Sequence, residues 1–485
     1  MTKNKVRVRM APTPSGFLHL GTAHTALFNW LFARHHGGKF ILRLDDTDPK
    51  RYQKEFEEEI LASFRWLGID WDEGPDVGGP YGPYRQSQRM KIYWSYIKKL
   101  LKEDKAYRCF CSPQKLKSER EAMLKKGIAP KYSGQCRYLT EEQVKKLEGE
   151  GKKGAVRLKV SPGLVSFTDP SRGKITIKAE DIGDFIIARS DDTALLATAT
   201  TIDDIEMKIT HTIRGEDYLN FVPRQILLYD ALGIEPPIFA HLSFIYGPDG
   251  SKLSKRHGAT AVSDYRRNGY LPGALVNYLS LLGWSPKDDR EILSINQIVK
   301  LFKLKDVSDA NPRFDLKKLT WLNGMYIRQK TDQELAKSIS PFVPQGMPRT
   351  LVKKTIPLVK PRMHTLADFP GLVGFLSKYQ KPTEDDLTPK GKGGQETLAI
   401  LSLILEEMDK FSLKNWQAEK MEKKMLTVAD GTDWKRSDFF QVFRVAIAGQ
   451  KISPPLFGSI EILGRKETLA RINKAIKLLS RKGKR

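Results

Sequence analysis

The chain has 485 residues, of which 40% are hydrophobic and 29% are charged, and this composition excludes a disordered protein and a single small domain. Lysine and arginine outnumber aspartate and glutamate by 82 to 57, so the formal net charge is +25. An excess of this size indicates a polyanionic partner, with nucleic acid as the leading candidate.

The cysteine content and the hydropathy pattern bear on the compartment. Three cysteines in the whole chain argue against a disulfide framework and indicate a reducing environment. No stretch approaches the roughly eighteen continuous apolar residues of a membrane span, and no apolar leader segment precedes the first predicted strand. We therefore expect a cytoplasmic protein that does not contact a membrane.

The N-terminal part predicts a strand, a loop, a helix and a second strand. Residues 6–9 alternate as in a strand, apolar side chains recur at helical spacing over residues 23–31, and residues 40–44 form a second apolar run. In such a unit the positive end of the helix faces the sheet edge, which is a place for phosphate. At the helix entry, His19 can hydrogen-bond a phosphoryl oxygen and Gly21 permits close approach of the backbone.

Three motifs carry a resemblance to a known family. Pro12-Thr-Pro-Ser-Gly-Phe-Leu-His-Leu-Gly-Thr22 resembles the HIGH-type motif of class I aminoacyl-tRNA synthetases, and the flanking Arg9 and residues 29–32 resemble glutamyl-tRNA synthetases of the bacterial type. Residues 210–217 are similar to the segment with which the chain of this family re-enters the catalytic domain after the insertion. Residues 246–258, a glycine-rich turn with basic side chains, resemble the KMSKS-type loop. The resemblance covers nearly the whole chain.

This resemblance implies an α/β, Rossmann-like class I catalytic domain with an inserted acceptor-binding domain, followed by an all-α C-terminal anticodon-binding domain. Five parts are expected. They are the first catalytic half (1–75), the insertion (76–205), the second catalytic half with the KMSKS-type loop (206–262), a stem-contact region (263–330) and the helical anticodon-binding domain (331–485). The Pro-, Gly- and Lys-rich stretch at 382–394 is expected to link two helical subdomains.

The implied activity is a two-step ligation. The α-carboxylate of L-glutamate attacks the α-phosphorus of ATP, and the resulting adenylate passes its glutamyl group to the 3′ end of tRNA(Glu); Mg²⁺ is implied with ATP, and the enzyme is expected to be a monomer. His19 and Lys255 are the implied catalytic residues, because charge stabilisation should supply much of the rate enhancement. The implied ATP-binding residues are Pro12, His19, Gly21, Thr22, Asp217, Lys252, Ser254, Lys255 and Arg256.

The resemblance also implies an amino-acid pocket. Arg214 would hold the α-carboxylate, Arg9 the side-chain carboxylate and Asp45 the ammonium group. Leu196 stands where the family has a tyrosine, and an unpaired carboxylate oxygen there costs about 1–3 kcal/mol. The implied glutamate-binding residues are Arg9, Ala11, Thr13, Asp45, Leu196, Thr200 and Arg214.

Other functions remain open at this point. Leu196 motivates a paralogue with a different amino-acid preference or a different tRNA, such as tRNA(Gln). The alternatives from other classes are a nucleotidyltransferase that does not act on tRNA and a non-catalytic tRNA-binding module. The former would not need the basic helical region after residue 331, and the latter would not need Lys255.

The insertion contains a candidate metal site and a candidate tRNA contact. Cys109 and Cys111 are followed by one later cysteine, Cys136, and thiolates in this arrangement suit a structural, tetrahedral Zn²⁺. The fourth ligand is open between Tyr138, where the family pattern often has histidine, and Tyr132; free or buried structural thiols are the alternative. Near the start of the insertion, Tyr84 offers a stacking face and Arg85 a phosphate partner for the acceptor end of tRNA.

Overall fold

A computed structural model of the chain describes residues 5–47 and 51–480, with the side chain of Lys255 outside the description. The chain forms two compact units, one comprising Met1–Asp264 and Leu275–Asp315 and the other Tyr265–Ala274 and Leu316–Arg485. The five-part division expected from the sequence stays a prediction. Within the described ranges, no helix combines the length and apolar character needed to cross a bilayer.

The predicted N-terminal unit is confirmed. Strand β1 (Arg7–Met10) leads through a loop to helix α1 (Leu20–His35), and strand β2 (Lys39–Leu42) then pairs with β1 in parallel. Helix α1 is buried on most of its surface, which explains why apolar residues occupy more than one face. The loop between β1 and α1 therefore lies at the carboxyl end of a buried strand and at the positive end of a helix, where a phosphate site is expected.

The remaining elements of the first 264 residues, apart from one helix that begins at residue 262, follow in chain order. They are α2 (Lys54–Leu67), α3 (Met90–Lys102), β3 (Ala106–Cys109), α4 (Pro113–Lys125), α5 (Glu141–Gly149), β4 (Ala155–Leu158), β5 (Leu164–Asp169), β6 (Gly173–Lys178), α6 (Ala179–Ile182), β7 (Phe185–Ala188), α7 (Leu196–Glu206), β8 (His211–Gly215), α8 (Val222–Leu232) and β9 (Ile238–Leu242). Helix α5 ends at Gly149, and Gly151 turns the chain two residues later with φ at +79°.

The strands of this unit pair in two ways, in parallel pairs and in antiparallel sheets. Strands β8 and β9 pair in parallel, and the backbone of Thr210, just before β8, donates to the Arg7 carbonyl of β1 at 2.9 Å. Between β2 and β8 in sequence, β3, β4 and β7 form an antiparallel sheet, and β5 and β6 form an antiparallel hairpin. The β1–β2 and β8–β9 pairs thus meet through β1 and the start of β8, although the antiparallel strands separate them in sequence.

The rest of the chain is helical. The helices are α9 (Val262–Arg267), α10 (Pro272–Ser280), α11 (Ile295–Leu301), α12 (Leu316–Gln329), α13 (Asp332–Ser338), α14 (Arg349–Val359), α15 (Asp368–Ser377), α16 (Glu384–Leu387), α17 (Gly394–Asp409), α18 (Ala418–Asp430), α19 (Arg436–Ala448), α20 (Leu456–Leu463) and α21 (Arg465–Ser480). The second compact unit holds two hydrophobic clusters, one within residues 271–373 and one within 375–479. The expected linker at 382–394 contains α16, and its Leu387 is buried in the second cluster.

The predicted stacking role of Tyr84 is wrong. Its side chain is 3% exposed, and its hydroxyl donates to Glu73 Oε2 at 2.7 Å. Arg7 donates to both oxygens of the same carboxylate, at 2.7 and 3.0 Å. Arg85 in turn donates to Glu57 at 2.6 Å. The local glycines and prolines indicate a loop but not the carboxylate that draws the tyrosine inward.

Candidate active site

A cavity of about 390 Å³ lies between the β1–α1 loop, the start of α7 and the ends of β8 and β9. The predicted site residues that line it are Arg9, Ala11, Pro12, Thr13, His19, Gly21, Thr22, Asp45, Leu196, Thr200, Arg214, Asp217 and Lys252. Ser254 and Arg256 do not line it, and the side chain of Lys255 lies outside the described part of the chain. The structure therefore brings most of the predicted ATP and amino-acid residues to one cavity.

His19 caps the helix at the floor of this cavity. Its Nδ1 accepts a hydrogen bond from the Gly21 backbone N–H at 3.1 Å. Because Nδ1 accepts, a neutral imidazole carries its proton on Nε2 and can donate there. Burial, followed by the positive charge of Lys252, lowers the pKa of His19. His19 is thus a neutral donor beside the helix N-terminus, suited to a phosphoryl oxygen.

Arg214, on β8, is the buried cation of the site. Its Nη2 donates to Gln225 Oε1 at 2.7 Å, and its Nε donates to His241 Nε2 at 3.3 Å. Across the ranges that the structure describes, it forms no salt bridge with a carboxylate. Burial and then the charge of Arg9 lower the pKa of Arg214 to about 9, which leaves the guanidinium protonated at neutral pH. A buried guanidinium bonded only to neutral groups favours a carboxylate ligand.

Arg9, on β1, is already partly neutralised. Its Nε and Nη2 donate to the two carboxylate oxygens of Asp204 on α7, at 3.1 and 3.2 Å. Arg43 lies behind it and donates to the same Asp204 at 3.2 Å. The opposing charges of Arg9 and Arg43 outweigh burial and lower the pKa of Asp204. The predicted carboxylate reader Arg9 therefore belongs to a charge network.

The centre of that network was not expected from the sequence. Arg43 is fully buried and pairs with Asp203 at 3.3 Å, and Arg89 pairs with the other Asp203 oxygen at 2.6 Å. Gln86 and Tyr93 also donate to Asp203, at 2.9 and 3.0 Å. Each guanidinium of the network has a carboxylate partner, as buried charges require. Arg214 is consequently the guanidinium at this cavity that is left for a ligand.

Asp45 and Leu196 give the cavity an acidic and an apolar wall. Both Asp45 oxygens accept hydrogen bonds from Arg43, at 2.7 and 3.3 Å, and burial raises the pKa of Asp45 although Arg43 opposes it. Leu196, the first residue of α7, is 43% exposed. Thr200 lies one helical turn further on and supplies a hydroxyl at the same wall. The cavity wall is therefore apolar at Leu196, where the resemblance implies a tyrosine.

The KMSKS-type loop is held together by His257. Its Nδ1 accepts the Ser254 backbone N–H at 3.0 Å, and its Nε2 lies 3.0 Å from Asp249 Oδ1. Gly247 leaves the room for this ring, because a Cβ at that position would lie 2.7 Å from it. The imidazole thus bridges the two arms of the loop.

The basic side chains of the loop differ in where they point. Lys252 lines the cavity, with its Nζ 3.4 Å from the centre of the Phe244 ring. Arg256 is 64% exposed. The predicted roles of Ser254 and Arg256 in ATP binding therefore require the loop to move toward the cavity.

Comparison with known proteins shows which family the chain resembles. Residues 5–321 match the family described as tRNA synthetases class I (E and Q), catalytic domain, and residues 334–476 match the anticodon binding domain family. The glutamate–tRNA ligases of Desulforamulus reducens and Moorella thermoacetica are each 42% identical, over 97% of this chain and 100% and 98% of their own. The chain belongs to the glutamate–tRNA ligase family. Its predicted class, an aminoacyl-tRNA ligase, is thereby confirmed.

Solved structures of this family share the fold. A crystal structure of a glutamate tRNA ligase from Elizabethkingia meningosepticum in complex with its amino acid aligns with a TM-score of 0.88 at 34% identity, over 98% of this chain and 100% of that one. A glutamate-tRNA synthetase from Elizabethkingia anophelis aligns with a TM-score of 0.83 at 33% identity, over the same shares. The predicted fold class, a class I catalytic domain followed by a helical anticodon-binding domain, is confirmed.

The three cysteines lie close together in the segment that is expected to be the insertion. The Sγ atoms of Cys109, Cys111 and Cys136 all lie within 4.8 Å of one another. The Tyr132 hydroxyl lies 3.4 Å from Cys109 Sγ and 3.3 Å from Cys111 Sγ. Tyr138, the first candidate for a fourth ligand, is 84% exposed and lies outside this cluster. The structure therefore brings together the three thiols and the other candidate, Tyr132.

The charges around the thiols fit a divalent metal. The guanidinium of Arg157 lies 3.7 Å over the Tyr132 ring. Burial raises the pKa of Cys109, but its interactions with Tyr132 and Arg157 outweigh burial and lower that pKa. Three thiolates around Zn²⁺ leave one negative charge, and Arg157 can balance it. Soft ligands at this spacing are suited to tetrahedral zinc.

Proposed function

We propose that this chain activates L-glutamate with ATP and transfers it to the 3′ end of tRNA(Glu). The observation that carries the proposal is the position of Arg214, a protonated buried guanidinium bonded only to neutral groups at the same cavity as the helix-capping His19. A substrate pair with a carboxylate and a triphosphate satisfies both groups. The relatives named glutamate–tRNA ligase support the choice of amino acid and of tRNA.

The residues divide the work. Arg214 binds the α-carboxylate of glutamate, Arg9 helps to bind its side-chain carboxylate and Asp45 binds its ammonium group. The other residues that shape the pocket are Ala11, Thr13, Leu196 and Thr200. His19 and the N-terminus of α1 bind ATP phosphates, and Lys252 and Lys255 offset the charge that develops on the departing pyrophosphate. Mg²⁺ accompanies ATP. No step requires a covalent enzyme intermediate, so positioning and charge carry the chemistry.

The second candidate is a paralogue that prefers another amino acid or charges another tRNA. The exposed Leu196 favours it, because this apolar side chain stands at the wall where a substrate carboxylate would meet the family's tyrosine. A pocket built to bond a carboxylate loses selectivity when one donor is missing.

The test is ATP–pyrophosphate exchange by the full chain with tRNA present. We expect exchange that depends on glutamate and exceeds that with glutamine or aspartate, and charging of tRNA(Glu) over tRNA(Gln). Absence of exchange with glutamate would overturn the main proposal, and exchange with a different amino acid would establish the second candidate. Lys255→Ala should lower the exchange rate strongly, whereas Lys152→Ala, a half-exposed lysine of the insertion, should not.

The thiol cluster completes the proposal. Cys109, Cys111, Cys136 and Tyr132 would hold one structural Zn²⁺, which would tie the two ends of the 109–136 segment together. We also propose that the enzyme acts as a monomer, which light scattering of the purified chain checks.

A further inference from the structure

His241, on β9, contacts both a buried acid and the substrate-binding cation. It is 1% exposed. One ring nitrogen, Nδ1, lies 2.8 Å from Asp169 Oδ2, and the other, Nε2, lies 3.3 Å from Arg214 Nε. Because arginine only donates, Nε2 accepts, and Nδ1 carries the proton that is donated to Asp169. The three side chains form one directed chain of hydrogen bonds.

Asp169 is held rigidly at the end of β5. Its Oδ1 accepts hydrogen bonds from the backbone N–H and the hydroxyl of Ser171, at 2.9 and 2.8 Å. The Ser171 hydroxyl also lies 3.2 Å from the His241 carbonyl oxygen. Burial raises the pKa of Asp169, but the hydrogen bonds from His241 and Ser171 outweigh it. The turn of the β5–β6 hairpin thus presents an ionised carboxylate to β9.

Arg214 is oriented from two sides. Its Nε is held by His241 and its Nη2 by Gln225, while its Nη1 has no hydrogen-bond partner among the described residues. A guanidinium with one edge held this way directs its remaining N–H groups along a fixed direction. Burial and then the charge of Arg214 lower the pKa of His241, although Asp169 opposes them, so the acceptor on Nε2 persists at neutral pH.

We infer that His241 and Asp169 are positioning residues for the substrate α-carboxylate. They act through Arg214: Asp169 sets the tautomer of His241, and His241 sets the orientation of the guanidinium. Asp169 lies in the segment expected to be the inserted domain, so the insertion contributes to the amino-acid site. The inference rests on the proposed function, because it takes Arg214 as the carboxylate ligand.

Two substitutions of His241 separate its two hydrogen bonds. In His241→Asn the amide nitrogen replaces Nδ1 and keeps the bond to Asp169, but nothing accepts from Arg214. In His241→Gln the amide oxygen reaches the position of Nε2 and can accept from Arg214. Exchange assays on the full chain with tRNA should show that His241→Asn raises the KM for glutamate about tenfold, the effect of one hydrogen bond to a charged group. The KM for ATP should stay within twofold of the wild-type value. In His241→Gln the KM for glutamate should return close to the wild-type value.

Asp169→Asn is the independent variant. Its amide facing Nδ1 favours the tautomer with the proton on Nε2, which removes the acceptor for Arg214 and should again raise the glutamate KM alone. If the wild-type chain shows no glutamate-dependent exchange, the proposed function fails. If the wild-type chain is active but His241→Asn and Asp169→Asn both leave the glutamate KM within twofold, the positioning inference is overturned.

A purely structural role has a different signature. Equal rises in the KM values for glutamate and ATP, with a lower thermal midpoint, would also overturn the inference. If either variant fails to fold, as circular dichroism would report, the comparison of the other variant with His241→Gln decides.

Discussion

Arg9 and Asp204 lie 195 residues apart in the chain and meet through two hydrogen bonds, of 3.1 Å from Nε and 3.2 Å from Nη2. This pair joins β1 to α7 beside the cavity. It also means that Arg9 approaches a substrate with part of its charge already balanced. The neighbouring Arg43–Asp203–Arg89 contacts extend the same balance into the core.

Asp203→Asn should destabilise the first compact unit by about 3–5 kcal/mol, because it leaves Arg43 and Arg89 buried with too little negative charge. Hydrogen exchange of peptides covering α7 measures the opening free energy locally. Asp288→Asn is the matched control, since its pair with Arg290 is exposed to solvent and its loss should leave stability nearly unchanged. Similar small effects for both variants would contradict the role of the network.

Leu196→Tyr should lower the KM for glutamate relative to Leu196→Phe. Both variants add a ring at the exposed cavity wall, but only tyrosine adds a hydroxyl that can donate to a substrate carboxylate. A net hydrogen bond of about 0.5–1.5 kcal/mol corresponds to a roughly two- to tenfold change in the exchange assay. Identical KM values for the two variants would show that no substrate carboxylate approaches this position.

Titration of His24 should lower the free energy of unfolding of the first compact unit in mild acid. Burial lowers its pKa to about 4, and its Nε2 donates to the Leu282 carbonyl at 2.7 Å. The unfolded chain, with a pKa near 6.5, binds more protons between these values, so stability falls as pH drops from 6.5 toward 4. The loss between pH 7 and pH 5 should be about 2 kcal/mol.

The variant His24→Gln isolates this effect, because its amide can still donate to Leu282 but does not titrate. The free energy of unfolding from urea titration should depend less on pH in the variant, by about the same 2 kcal/mol. Parallel pH profiles would assign the acid sensitivity to other groups.

Tyr132→Phe should weaken zinc retention by about tenfold or more, because it removes the hydroxyl that lies beside two of the thiols. Tyr138→Phe is the matched control on an exposed ring and should retain zinc as the wild type does. Metal analysis after competition with a chelator measures the difference. Absence of stoichiometric zinc from the wild-type chain, purified without chelator, would remove the metal proposal altogether.

Local patterns were sufficient for the elements that frame the site. Alternation predicted β1, helical spacing predicted α1, and the motif around His19 singled out a loop that lines the cavity. These features depend on residues close together in the chain, where periodicity and capping act directly. The C-terminal helices α17 and α21 likewise bury residues at three- and four-residue steps.

The charge network and the positioning pair were missed because their partners are distant in sequence. Arg43 interrupts the apolar run at 40–44, and Asp203 follows the uncharged residues 193–202, which is a signal that a buried charge needs a partner. Neither residue reveals which partner it has, since Arg43 and Asp203 lie far apart in the chain. The inward position of Tyr84 and the place of His241 beside Arg214 likewise depend on tertiary contacts.

The pairing of Arg7 with Thr210 has a consequence for synthesis on the ribosome. The first strand is made early, but the backbone that completes its sheet is 203 residues further along. At roughly 5–20 residues per second, the nascent β1 waits about 10–40 s for that partner to be made. During that interval the α1 helix and the whole insertion emerge first, so the catalytic sheet is among the last parts of its unit to close.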